Sequence, residues 1–196
     1  IRGGENIRMD RLEITDCTDA SIRGLQKANF TIENATLSAA GNIEVILQDS
    51  SLCHAFNTSA GEDSINIRDP GSRYFNYHSL TARANLNETP FDPIPRVNYI
   101  VFSKSQEYYN KELMNITSNP FGAIYSVPVL TYKKEGFQPI EVYNPLIITG
   151  WKDGYVPYIG DPINMRSTTV MDIEMAENRP PLFLTFEGKP PTTHYR

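Results

Sequence analysis

The chain has 196 residues, 40% of them hydrophobic and 21% charged, with a formal net charge of −5. That balance can fill a packed core, which excludes global disorder. The acidic surplus repels phosphate backbones, and the densest basic cluster is the single pair Lys133-Lys134, so nucleic acid is excluded as a partner. No run of about 18 apolar residues is present, so no segment has the composition of a bilayer-spanning helix.

The first sixteen residues differ from the rest. Gly3-Gly4 gives a flexible point, and Ile7, Met9, Leu12 and Ile14 then alternate with charged residues. This predicts an extended N-terminal arm (residues 1–16) able to lend apolar side chains and backbone to an open sheet edge of another subunit. The chain begins at Ile1, as a secreted chain does after removal of a signal peptide.

Strand patterns follow in chain order. Phe30 and Ile32 alternate with polar neighbours, but Ala35 and Leu37 are out of phase with them, which predicts a bulge or bend near Asn34. After the turn signal Gly41-Asn42, Ile43, Val45 and Leu47 alternate with polar residues, as do Ile65 and Ile67 before the turn Asp69-Pro70-Gly71. Period-two runs recur at Leu80–Leu86, Val97–Val101, Tyr125–Thr131, Met171–Met175 and Leu182–Phe186. Helix signals are poor; Ser105 caps at most a short turn through Gln106–Met114. The tail Lys189–Arg196 has polyproline-II composition.

With 14 prolines and 12 glycines punctuating these segments, the expected fold class is all-β. The expected architecture is a β-sandwich, Ig-like or jelly-roll-like, over residues 17–196, behind the N-terminal arm. The Pro-rich stretch near residues 90–96 offers an alternative boundary between two smaller units. No internal repeat is evident in the sequence.

Two features bear on the compartment. Cys17 and Cys53 permit one disulfide, which would stabilise the fold by roughly 3–4 kcal/mol. Five Asn-X-Ser/Thr sequons begin at Asn29, Asn34, Asn57, Asn87 and Asn115, and such acceptors are used in secreted proteins. Both point to an extracellular or cell-surface glycoprotein.

Catalytic signatures are missing. There is no Gly-X-Ser-X-Gly elbow, and His54, His78 and His194 lack zinc-ligand spacing, so each reads as a surface or strand residue. The pairs Glu62-Asp63 and Asp16 with Asp19 lack calcium-loop spacing and read as solvated loops. The expectation is a non-enzyme without cofactor or metal. The aromatic cluster Trp151, Tyr155 and Tyr158, beside Asp153 and Asp161, offers flat faces with hydrogen-bonding neighbours, suited to a carbohydrate or a protein partner, or else to covering the end of a core.

The layout resembles that of pilus and thread subunits, which assemble by donor-strand exchange, although no family motif carries the likeness. The leading expectation is a structural subunit of a fibre or surface assembly whose partner is a further copy of itself. A carbohydrate-binding or receptor-type module and a viral capsid or attachment protein are the alternatives.

Overall fold

A computed structural model describes residues 1–39, 43–88 and 92–179, and among these the chain is all β, with sixteen strands, one 3-10 turn and no α-helix. The first eight strands are three turns of a solenoid. β1 (Ile7–Asp10), β2 (Glu13–Cys17) and β3 (Ile22–Gly24) form the first coil. β4 (Asn29–Glu33), β5 (Thr36–Ala39) and β6 (Val45–Leu47) form the second, and β7 (Leu52–Phe56) and β8 (Ile65–Ile67) belong to the third. Strands stack in parallel onto their equivalents, β1 on β4 on β7, β2 on β5, and β3 on β6 on β8.

The register reveals a repeat that the sequence conceals. Ile7 lies opposite Phe30, Phe30 opposite Cys53 and Cys53 opposite Tyr74, offsets of 23, 23 and 21 residues. On the third wall Ile22, Val45 and Ile65 align at offsets of 23 and 20. Only the apolar class recurs, not the residue, and the period drifts, so similarity along the chain is hard to see. Each coil buries its inward face on the next, as stacked repeats must.

Corners follow from backbone chemistry. Arg11, Asn34 and Asn57 each have φ between 50° and 53°, and each donates its N–H to the following coil, to Glu33 O, Phe56 O and Tyr77 O. Asparagine tolerates this left-handed conformation better than most residues. The phase change at Asn34 is therefore a bend. Asn34 Nδ2 donates to Asp10 Oδ1 at 3.0 Å and Asn57 Nδ2 to Ser79 Oγ at 3.0 Å, so side chains tie successive coils together. At Gly24 a Cβ would stand 2.7 Å from Phe30 Cε1 and 2.9 Å from Leu47 Cδ2, which leaves no room for a larger residue.

The remaining strands form a two-layer packing. β9 (Arg73–Leu86) runs on from the third coil for fourteen residues; β10 (Asn98–Ser103), β11 (Glu112–Thr117) and β12 (Ala123–Glu135) follow. β13 (Glu141–Val142), β14 (Leu146–Trp151), β15 (Tyr158–Ile159) and β16 (Thr169–Met175) complete the chain. β9 pairs with β7 over its first half and with β16 over its second, both in parallel, while β12 covers its other edge antiparallel from Arg73 to Arg83. The sheet β11-β10-β14-β15 packs on the far half of β9, β12 and β16. Leu80, Ala82, Tyr99, Val101, Leu146, Ile148 and Ile173 are among the buried residues between the layers. Ser105 Oγ accepts from Tyr108 N in an isolated turn before β11.

These findings correct four expectations. Residues 1–16 do not form a free arm: β1 pairs with β4 of its own chain, and Ile7, Met9, Leu12 and Ile14 pack on the solenoid core. Residues 17–39 and 43–67 are coils, because parallel stacking buries their apolar face without a second sheet. An internal repeat exists. Cys17 and Cys53 are free thiols: Cys53 is fully buried between Phe30 and Tyr74 on the first wall, while Cys17 ends β2 on another wall, half-buried beside Ala39. Burial pushes the Cys53 thiol well above its ordinary pKa. The expected strand at 182–186 and the tail from 189 lie outside the described residues.

Phe30→Ala should destabilise the fold by about 3–5 kcal/mol, and Gly24→Ala by about 1–3 kcal/mol through overpacking. Urea denaturation of each variant checks both values. A Gly24→Ala protein as stable as the parent contradicts the close approach described for that position.

Candidate functional site

Along β9 the inward-facing residues are Tyr74, Asn76, His78, Leu80, Ala82 and Ala84. Tyr74 belongs to the solenoid core and Leu80 onward to the core between the layers. Two polar residues therefore mark the seam, and both are buried. β12 makes the same change: a bulge between Leu130 and Tyr132 leaves Thr131 and Tyr132 consecutively buried, with Tyr132 turned into the solenoid core while Val129 serves the other.

The seam is a hydrogen-bonded network. Asn76 Nδ2 donates to Thr131 Oγ1 at 3.0 Å and lies 3.3 Å from His78 Nε2, and Thr58 Oγ1 donates to Asn76 Oδ1 at 3.1 Å. Since an amide N–H faces Nε2, that nitrogen accepts and Nδ1 carries the ring hydrogen. Among the described residues His78 Nδ1 has no partner, and the residue is only 5% exposed. Burial holds the imidazole pKa down at about 4, so the ring is neutral at ordinary pH. An unpaired buried donor costs about 1–3 kcal/mol.

A cleft of about 580 Å³ opens beside this network, within the range of small-molecule sites. One wall is the flank of the second and third coils, carrying Glu44, Ser59, Glu62 and Asp63; His78, Thr131 and Tyr132 line it from β9 and β12. The third wall is a loop held by Asn144, whose Nδ2 donates to Met165 O while its Oδ1 accepts from Met165 N, both at 3.1 Å. That clamp sets Arg166, which makes no ion pair among the described residues, on the cleft lining. Glu44 Oε2 accepts from Ser64 Oγ at 2.8 Å and is fixed by it. A second cavity of about 460 Å³ shares Thr58, Ser59 and Arg166 with the first and continues past Thr36 and Ser167 to Asn34 and Asn57. Among the described residues no group of three His, Cys, Asp or Glu side chains is arranged to hold a metal ion.

Residues singled out in the sequence fall elsewhere or take different roles. Asn34, Asn87 and Asn115 are exposed and Asn29 and Asn57 half-buried; the amides of Asn34 and Asn57 are engaged in the corner ladder. Trp151, Tyr155 and Tyr158 share one hairpin end, where Tyr155 and Tyr158 pack on the core between the layers and Trp151 is 50% exposed. Asp153 and Asp161 are exposed and make no side-chain hydrogen bond to these rings. Glu62, read as a solvated loop acid, lines the cleft with Asp63, and His78, read as a surface or strand residue, is a buried strand residue at its back. The signal for His78 was the extension of the Leu80–Leu86 alternation backward to Asn76, two polar residues in an apolar series.

Compared with protein-family models, with curated proteins and with solved structures, the chain shows no match. The functional reading rests on the geometry.

The depressed pKa of His78 sets a pH dependence. The unfolded chain takes up a proton near 6.5 and the folded chain only near 4, so this stability is present above 6.5 and is lost as pH falls between those values. The loss is on the order of 3 kcal/mol. Urea denaturation at pH 7 and pH 4.5 should show His78→Asn losing less than the parent by roughly 2 kcal/mol; equal losses would rule out this assignment.

Proposed function

We propose that the protein is a glycosylated extracellular structural subunit of a fibre or surface assembly, joined to its neighbour through the first coil. The supporting observation is that the two ends of the solenoid are treated differently. At the third coil, Tyr132 Oη donates to Ala60 O at 2.6 Å, Lys134 Nζ to Ile65 O at 2.7 Å and Gly136 N to Ser72 O at 2.9 Å, so β12 and its turn close that end. At the first coil, β1 has β4 on one edge and no strand on the other among the described residues. Ile7, Met9 and Ile14 remain partly exposed where Phe30, Ile32 and Leu37 beneath them are buried.

An open edge with a half-covered apolar column is a template for an added strand. A strand from a neighbouring molecule laid along β1 would pair its free backbone groups and cover Ile7 and Met9. In this reading the N-terminal segment receives a strand and keeps its own place in the sheet. The extracellular compartment rests on the sequons alone, since the cysteines are unpaired. Exposed Asn115 on β11 and Asn87 after β9 are the acceptors best placed for glycans.

Analytical ultracentrifugation of the full chain should show assemblies that disappear in a Met9→Asp, Ile14→Asp double variant, with the circular dichroism spectrum retained. A parent protein that stays monomeric at every concentration sinks the assembly reading. An intact mass unchanged by glycosidase treatment removes the glycoprotein part of it.

A further inference from the structure

We propose that the groove across the second and third coils is a binding site for an oligosaccharide without acidic groups. The two cavities share Thr58, Ser59 and Arg166 and so form one trough rather than separate pits. Its surface is made of hydroxyls, amides and carboxylates from two coils and the clamped loop. A sugar ring presents hydroxyls that both donate and accept, and such a wall can answer each of them. Glu44, Glu62 and Asp63 accept from ring hydroxyls at one end, and the guanidinium of Arg166 donates to adjacent oxygens in the middle.

Three observations decide the ligand class. The three carboxylates outnumber the single Arg166, so the groove carries net negative charge and disfavours phosphate, sulfate or uronate groups. Its apolar lining is confined to small or fully covered residues: Ala39, Ala60, Met165 at 1% exposure and Tyr132 at 4%. A peptide or lipid would need open apolar pockets for its anchors. The floor is also built rather than incidental, because His78 lies there 95% covered and is held by the Asn76–Thr131–Thr58 network. That network fixes the cleft floor in advance, so a ligand would not have to order it.

The far end of the trough contains Asn34 and Asn57, both sequon asparagines. A glycan on either would fill that end, so the test uses the full chain after enzymatic removal of any N-glycan. The probe is an array of neutral and acidic oligosaccharides, followed by titration calorimetry with the neutral compound that gives the strongest signal. The expected result is binding of neutral compounds only, weakened at least tenfold by Arg166→Ala and by the Glu62→Gln, Asp63→Asn double variant. Trp151→Ala, a position outside the groove lining, should leave it unchanged. All the substituted positions are exposed, so thermal melting should match the parent. Binding of acidic sugars alone, loss of binding in Trp151→Ala with retention in Arg166→Ala, or no binding to any neutral compound overturns the assignment.

Discussion

The pairing of β9 with β12 is the interaction on which the rest of the structure depends. Both strands are more than twice the usual strand length of about five or six residues. Their ladder continues, through a bulge at Leu130–Tyr132, past the point where the fold changes character. On one side of that point β9 is the last wall of a solenoid; on the other it is the central strand of a two-layer packing, with β16 taking the edge that β7 has left. A solenoid must be stopped at its end or its last coil offers unpaired backbone to solvent. The register of β12, set by β9, brings the donors of Tyr132, Lys134 and Gly136 to the carbonyls of Ala60, Ile65 and Ser72 that need closing.

Two hydrophobic cores on one strand pair create a problem of direction, since the inward face of the solenoid and that of the layered half are not the same surface. The bulge at Leu130–Tyr132 adds the residue that re-aims β12. Where the two cores meet, packing is imperfect, and polar side chains occupy the seam. Asn76, Thr131, Thr58 and His78 satisfy one another except at His78 Nδ1. The cleft lies beside that mismatch. A site at a junction of two packing units is where concave surface arises without dismantling either core.

Charge is distributed in keeping with this division. At the closed end Lys133 bridges Glu135 and Glu141, each at 2.9 Å, beside Tyr143, whose hydroxyl donates to Glu141. Despite the opposing effect of burial, the bonds from Tyr143 and Lys133 and the nearby Lys111 hold the Glu141 carboxyl below its ordinary pKa. These groups brace β12 against β13. In the groove, by contrast, Arg166, Glu62 and Asp63 make no ion pair among the described residues.

By itself the sequence determined the all-β class, most strand positions and the bend at Asn34, because period-two alternation and turn chemistry are local properties of a chain. Val45–Leu47, Ile65–Ile67, Leu80–Leu86 and Met171–Met175 are strands for the reason their side chains alternate or cluster. Tertiary structure alone decided which strand lies beside which. An apolar face is equally content against a facing sheet or on the coil below, so Ile7, Met9, Leu12 and Ile14 could read as a donor arm and yet form the first turn of a solenoid. The same freedom hid the repeat, since Phe30, Cys53 and Tyr74 share burial but not identity. It hid the groove as well: Glu62, His78, Asn144 and Arg166 are brought together by parallel stacking and the β9–β12 register, and neither is written in the spacing of those four residues.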